Sequence, residues 1–364
     1  MKKISKLCIA IFIITMLSSC NADKQVQDNS FYLESIPETT EEIIIDDYWK
    51  FSTPEEQGMS SNKLAALHDE IRDIEITSAI TVRNGVVVDE YYKDGFDKNS
   101  VFRLASCTKS FSSALIGIAI EQGLIENVDV KISTFFPEIN TDTDDRKKDI
   151  TIRHLLEHTS GILWQESYGG TMFRQFTQSE IWVDFVITQQ MEAAPGTVFS
   201  YSTGGSHLLA AIIQKVTGKT AFEYAKENMF KAMKMTSVEW RADPQGITDG
   251  GNGISMTPLD AAKFGQLYLQ NGKWEGVQII PEHWVSESVM THANGQPGSY
   301  GKYGYQWWIK KFGGYDAYYA NGHGGQYIVA VPSLNLVAVL TSRLGQDGTV
   351  PQKYISEYVI AACN

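Results

Sequence analysis

Three serines in this chain stand three residues before a lysine: Ser60-Lys63, Ser106-Lys109 and Ser299-Lys302. Residues three apart share a helical face, so such a pair can set an amine against a hydroxyl and activate it as a nucleophile. Their surroundings separate the three. Ser60 opens an ordinary amphipathic stretch, with Leu64, Leu67, His68 and Ile71 on one face, and reads as a helix N-cap. Ser299-Lys302 falls in a Gly/Pro-rich loop with no helix to align it. Ser106-Lys109 instead enters an almost continuously apolar run, Phe111 to Ile120, which ends at Gly123 and predicts a buried helix. The positive end of that helix favours charge developing on Ser106, and burial lowers the pKa of Lys109 toward that of a useful base.

A competing chemistry is written at His154-Leu-Leu-Glu-His158, which matches the His-x-x-Glu-His pattern of some zinc peptidases. Thr159-Ser160-Gly161 ends that helix at once, so the metal reading is weak and no metal is expected. The Gly-x-Ser-x-Gly elbow of α/β-hydrolases occurs nowhere, nor does a dinucleotide glycine fingerprint or a phosphate loop. With 31 basic and 43 acidic side chains the surface is acidic, which argues against nucleic acid as a partner. Four cysteines in 364 residues do not make a disulfide scaffold.

Further segments stand in order around Ser106. Val101-Phe-Arg-Leu-Ala-Ser-Cys-Thr-Lys109 resembles the nucleophile segment of serine β-lactamases and penicillin-recognising enzymes. Ile152 to Gly161 is similar to a structural signature of class C β-lactamase-like hydrolases. Pro195-Gly196 followed by Tyr201-Ser202-Thr203 matches the place of that family's Tyr-x-Asn element, and Gly322-His323-Gly324-Gly325 that of its Lys-Thr-Gly strand. The resemblance runs from about Phe51 to Leu344. It implies a β-lactamase/transpeptidase-like α/β (α+β) fold: an antiparallel sheet flanked by helices, with a mostly helical region inserted.

The resemblance also implies roles. Ser106 is the nucleophile, Lys109 and Tyr201 the general base and acid, and the backbone N–H groups of Ser106 and Gln326 the oxyanion hole. His323, Thr203, Gly324 and Gly325 are expected to contact substrate. Independently of the resemblance, Trp164 and Tyr168 follow the His-Thr-Ser-Gly turn, a place from which they either line the substrate cleft or pack into core or surface. No cofactor is needed. Thr203 replaces the family's asparagine and His323 its lysine. A mostly neutral imidazole binds an anionic carboxylate less well than a fixed cation. The histidine form resembles esterases, D-amino-acid peptidases and 6-aminohexanoate-dimer hydrolases. A small ester or amide is therefore the expected substrate. β-Lactamase or cell-wall peptidase activity, or a weakly catalytic or non-catalytic binding protein of this fold, are the alternatives.

The elements that must position these residues come from both ends of the chain. Ala79–Arg83 and Val86–Tyr92 read as strands joined by a hairpin turn at Asn84-Gly85. Strand patterns return at Tyr303–Lys310, Tyr315–Ala320, Tyr327–Val331 and Leu336–Thr341, and Pro351 to about Ala361 reads as a closing helix. One sheet built from both ends is expected over about 51–125 and 290–364, with the helical part at about 126–289. Ahead of this hydrolase domain (51–364), Lys2, Lys3 and Lys6 precede an apolar run to Leu17 and then Ser18-Ser19-Cys20. That run is short of the about 20 residues of a membrane span and reads as an export signal over 1–19. Leu17 to Cys20 resembles a bacterial lipobox, which implies a lipidated Cys20, a bilayer as partner and a place on the periplasmic or cell-surface side. The polar, acidic stretch that follows reads as a flexible tether over 20–50.

Overall fold

The structure, a computed structural model, describes residues 49–166, 170–296, 298–345 and 348–363. Asn84 (φ 52°) and Gly85 (φ 80°) both take the left-handed conformation that a tight hairpin demands. They join strands Ile76–Arg83 and Val86–Tyr92. Ile76–Arg83 then pairs antiparallel with Leu336–Ser342, Ile80 opposite Val339, so the two ends of the chain meet in one sheet. The eight strands run in the order Val86–Tyr92, Ile76–Arg83, Leu336–Ser342, Gln326–Val331, Tyr315–Gly322, Trp308–Phe312, Gly301–Tyr303 and Ala293–Gln296.

Both faces of this sheet are covered, which is why its central strands are apolar throughout rather than alternating. Tyr327, Val329 and Val331 face a layer made by the Ser61–Ile71 helix and the C-terminal residues Ile355 and Val359. Ile328 and Ala330 face the opposite layer, where helices Thr108–Glu121, Thr203–Thr217 and Pro258–Leu269 form the larger core. Within that core Phe111 stacks on Phe264 at 3.7 Å between ring centroids. The C-terminal helix is regular only over Val350–Tyr354, and Ile355–Ile360 continues in a wider π-helical turn. Among the described residues no helix is long and apolar enough to cross a membrane.

One expected strand is broken. Tyr303–Lys310 divides into Gly301–Tyr303 and Trp308–Phe312, and the residues between leave the sheet. Gln306 adopts φ 62°, and its backbone N–H donates to Leu156 O while its carbonyl accepts from Ser110 Oγ at 2.7 Å. Its side-chain amide donates to Leu155 O and Leu156 O and accepts from Ser206 Oγ. Hydrogen bonds to three helices thus outweigh continued strand pairing here. Both tryptophans that follow, Trp307 and Trp308, are buried.

Candidate active site

Strand Phe102–Arg103 pairs with Ile254–Met256 in a small second sheet, and Leu104 N–H donates to Ile254 O. The chain then turns sharply: Ala105, though not glycine, sits at φ 46°. Thr108 holds the turn, donating through Oγ1 to Ala105 O at 2.6 Å and accepting from Ile254 N–H at 3.0 Å. Ser106 therefore stands, partly exposed, at the N-terminal end of the Thr108–Glu121 helix.

One turn on, Lys109 is 1% exposed. Its Nζ lies 3.0 Å from Ser106 Oγ, 2.9 Å from Thr203 Oγ1 and 2.8 Å from Gly251 O. Burial pulls its pKa down to about 8, against the opposing pull of the Glu166 and Asp249 charges. The Gly251 loop can come this close only because position 251 lacks a side chain: a Cβ there would stand 2.7 Å from Thr203 Cγ2.

Tyr201 precedes the Thr203–Thr217 helix, whose N-cap Ser202 accepts from Gly205 N–H at 2.9 Å. The phenol lies close enough to Ser106 for that side chain to act on its ionisation, and the Lys109 ammonium lies 4.8 Å from its ring centroid. Its ring stacks on Trp308 and packs beside His158 and Tyr303. Desolvation raises the Tyr201 pKa well above that of an ordinary phenol, with Ser106 acting the other way.

The two histidines of the zinc-like pattern have other work. The helix stops after Leu156, and His158 lies beyond it at φ 57°. His154 Nδ1 accepts the Thr151 N–H in a capping box, whereas His158 Nδ1 accepts the Ser202 N–H and so braces the Tyr201 segment. A paired-ligand face needs a helix that continues through both histidines, and this one does not.

Gln326 opens its strand against the Ala105–Thr108 turn, its carbonyl accepting weakly from Cys107 Sγ at 3.7 Å. Its side chain bonds the main chain of Ser342 on the neighbouring strand. Gly324 and Gly325 form the hairpin tip, both at positive φ, and their carbonyls are held by Ser342 Oγ. His323 is half-buried at this tip, and burial, then the nearby Arg103 charge, lowers its pKa.

Two expected substrate contacts are corrected. Thr203 is 1% exposed and its hydroxyl is taken up by Lys109 and Glu166, so it sits in a buried hydrogen-bond network rather than on a cleft wall. Trp164 is 4% exposed among Phe176 and Phe185 and reaches the site only through its Nε1–H, which donates to Glu166. Tyr168 and Cys20 lie outside the described residues. Sequence reasoning passed over Glu166, Gly251 and Gln306. Glu166 sits five residues past Gly161 with no motif around it, and only the fold brings its carboxylate to Thr203.

The chain is similar to known proteins over most of its length. A family model described as Beta-lactamase matches residues 65–358. The chain is similar to the 6-aminohexanoate-dimer hydrolase of Paenarthrobacter ureafaciens, 22% identical over 271 residues that cover 68% of each protein. It is also similar to penicillin-binding protein 4* of Bacillus subtilis, 31% identical over 209 residues, 55% of this chain but 41% of that one. Among solved structures, a putative 6-aminohexanoate-dimer hydrolase from Bacillus anthracis aligns with TM-score 0.70 at 23% identity, covering 86% of both chains. EstCE1, a hydrolase with promiscuous acyltransferase activity, aligns with TM-score 0.71 at 15% identity, covering 85% of this chain and 99% of that one. The structural likenesses speak for the fold, and the family match takes in the Ser106 turn, the Tyr201 segment and the His323 hairpin alike. This chain belongs to the beta-lactamase family, whose fold and hydrolase ancestry it shares.

Proposed function

We propose that the protein is a serine hydrolase that transfers the acyl group of a small ester or amide to Ser106 and then to water. The observation that carries this reading is the Lys109 amine, 3.0 Å from Ser106 Oγ, with Thr203 Oγ1 and Gly251 O on its other directions. With its pKa near 8, about a tenth of Lys109 is the free amine at pH 7. The amine takes the Ser106 proton as Oγ attacks the carbonyl. Tyr201, kept neutral by desolvation, hydrogen-bonds Oγ and donates a proton to the leaving group. The backbone N–H groups of Ser106 and Gln326 receive the developing oxyanion. Water then cleaves the acyl-enzyme with the same lysine and tyrosine in reverse roles.

A second reading has its own observation. Arg103 acts electrostatically on His323, and its Nε donates to Asn252 O at 3.3 Å. A positive charge therefore stands beside the hairpin tip although the lysine is gone, which favours an acyl donor carrying a carboxylate, as β-lactams and D-amino-acid peptides do. The test of the first reading is intact-protein mass spectrometry after a fluorophosphonate probe. One adduct is expected, mapped to Ser106 and missing in Ser106→Ala; an adduct on another serine, or full turnover by that variant, overturns the reading.

A further inference from the structure

Thr203 poses a problem of proton direction. A hydroxyl both donates and accepts, whereas a general base needs neighbours that only accept. If the Thr203 proton pointed at Lys109, it would occupy the amine lone pair and leave an N–H facing Ser106, the wrong polarity for removing a proton.

The structure removes this ambiguity. The Glu166 carboxylate lies with Oε1 2.6 Å from Thr203 Oγ1 and Oε2 2.9 Å from the Thr203 backbone N. Trp164 Nε1–H also donates to Oε2 and holds the carboxylate from behind. A carboxylate only accepts, so the Thr203 proton goes to Glu166 and the Thr203 oxygen accepts from Lys109 at 2.9 Å. Gly251 O, at 2.8 Å, likewise only accepts. The two N–H bonds of a neutral Lys109 amine are then committed, and its lone pair has one direction left, toward Ser106 Oγ.

We infer that Glu166 is a positioning residue: by taking the Thr203 hydroxyl proton, it makes Lys109 present its lone pair to Ser106. The inference rests on the acyl-transfer reading above and adds a residue to it. Glu166 and Thr203 together supply what one side-chain carbonyl would supply in the asparagine form.

The test is a double-mutant cycle with p-nitrophenyl butyrate. In Glu166→Gln the shape is kept, but the amide NH2 faces Thr203 Oγ1 and turns its proton toward Lys109. Its plateau kcat is expected to fall about a hundredfold with KM little changed. Lys109 is faced by the charges or dipoles of Glu166, Asp249, the Cys107 thiol, the His158 imidazole and the Tyr201 phenol. Removing the negative charge of Glu166 therefore also moves the acid limb of the pH profile to lower pH. In a Thr203→Val background the relay is already cut, and Glu166→Gln is expected to cost less than about threefold more. Thr203→Asn places a carbonyl beside Lys109 and is expected to recover most of the rate lost in Glu166→Gln.

An unchanged plateau with only a shifted limb would make Glu166 a mere charge and overturn the inference, as would losses that multiply in the double variant. Should Glu166→Gln not fold, Thr203→Ser against Thr203→Val decides: the serine variant is expected to keep the rate and the valine variant to lose it, and equal rates overturn the relay. Fluorophosphonate labelling separates the levels. Labelled wild type with an unaffected Glu166→Gln variant ends this inference alone, whereas wild type that is not labelled at Ser106 ends the acyl-transfer reading with it.

Discussion

Burial lowers the Lys109 ammonium to about 8 although Glu166 and Asp249 favour its charged form. In the proposed mechanism the free amine is the active species, so kcat/KM for an ester should rise with pH and level off above about 8. Tyr201 adds no falling limb near neutrality, because desolvation keeps its phenol protonated far into the alkaline range. A pH series from 6 to 10 with p-nitrophenyl butyrate checks this, and a profile flat through pH 8 would contradict Lys109 as base. The decoy serines separate stability from chemistry at the same scale. Ser60 is the N-cap of the Ser61–Ile71 helix, its Oγ accepting from Lys63 N–H. Ser60→Ala should cost about 1 kcal/mol of stability and no turnover. Ser299→Ala should alter neither, as read by denaturant midpoint and initial rate.

The Thr108–Glu121 helix is positioned as much by what it lacks as by what it carries. Gly117 lies against Trp284 of the Glu282–Ser288 helix, and a Cβ at 117 would stand 2.3 Å from Trp284 Cγ. Gly117→Ala gains helix propensity but forces the two helices apart, and overpacking of this kind costs about 1–3 kcal/mol. A lower melting temperature, with kcat of the folded enzyme within about twofold, is expected. An unchanged melting temperature would show that the Trp284 ring moves freely, against its burial. The elements themselves were legible in part. The hairpin at Asn84-Gly85 and the buried helix after Ser106 were read correctly because their signals are local: turn chemistry and an unbroken apolar run. The break at Tyr305-Gln306-Trp307 was not, because alternation there imitates a strand while the partners that hold Gln306 lie on three distant helices.

At the scale of the whole molecule, the predictions concern which substrate the hairpin tip favours and where the proposed anchor holds the protein. His323 is held neutral by burial and by Arg103. A hydrogen bond to a charged group is worth about 1.5–3 kcal/mol, and a neutral imidazole forgoes much of that toward a carboxylate. p-Nitrophenyl butyrate is therefore expected to show a higher kcat/KM than nitrocefin. Efficient nitrocefin hydrolysis that falls on Arg103→Ala would shift the reading to the carboxylate-bearing substrates. The proposed lipid anchor is tested apart from catalysis. Wild-type protein should partition with bacterial membranes, and Cys20→Ala should not be lipidated; a mature N-terminus other than residue 20 would contradict the anchor. Of the thiols within the described residues, Cys107 is buried and desolvated and Cys363 is partly exposed, and neither forms a disulfide.

By itself the sequence determined the family, the candidate nucleophile and the two-ended sheet. Those rest on short-range facts: the three-residue step from Ser106 to Lys109, four motifs in order, and β-rich runs at both ends of the chain. It also set the chemical departures, Thr203 for asparagine and His323 for lysine, but not their consequences. Thr203 was expected at a substrate wall and proved buried between Lys109 and Glu166, because the helix it begins docks with its N-terminus against the Thr108–Glu121 helix. Glu166, 37 residues from Thr203, and Gly251, 142 from Lys109, carry no local pattern that marks them. Only the tertiary structure brought them together, since a proton network depends on distances and directions in space, and spacing along a chain encodes these only within a single turn or hairpin.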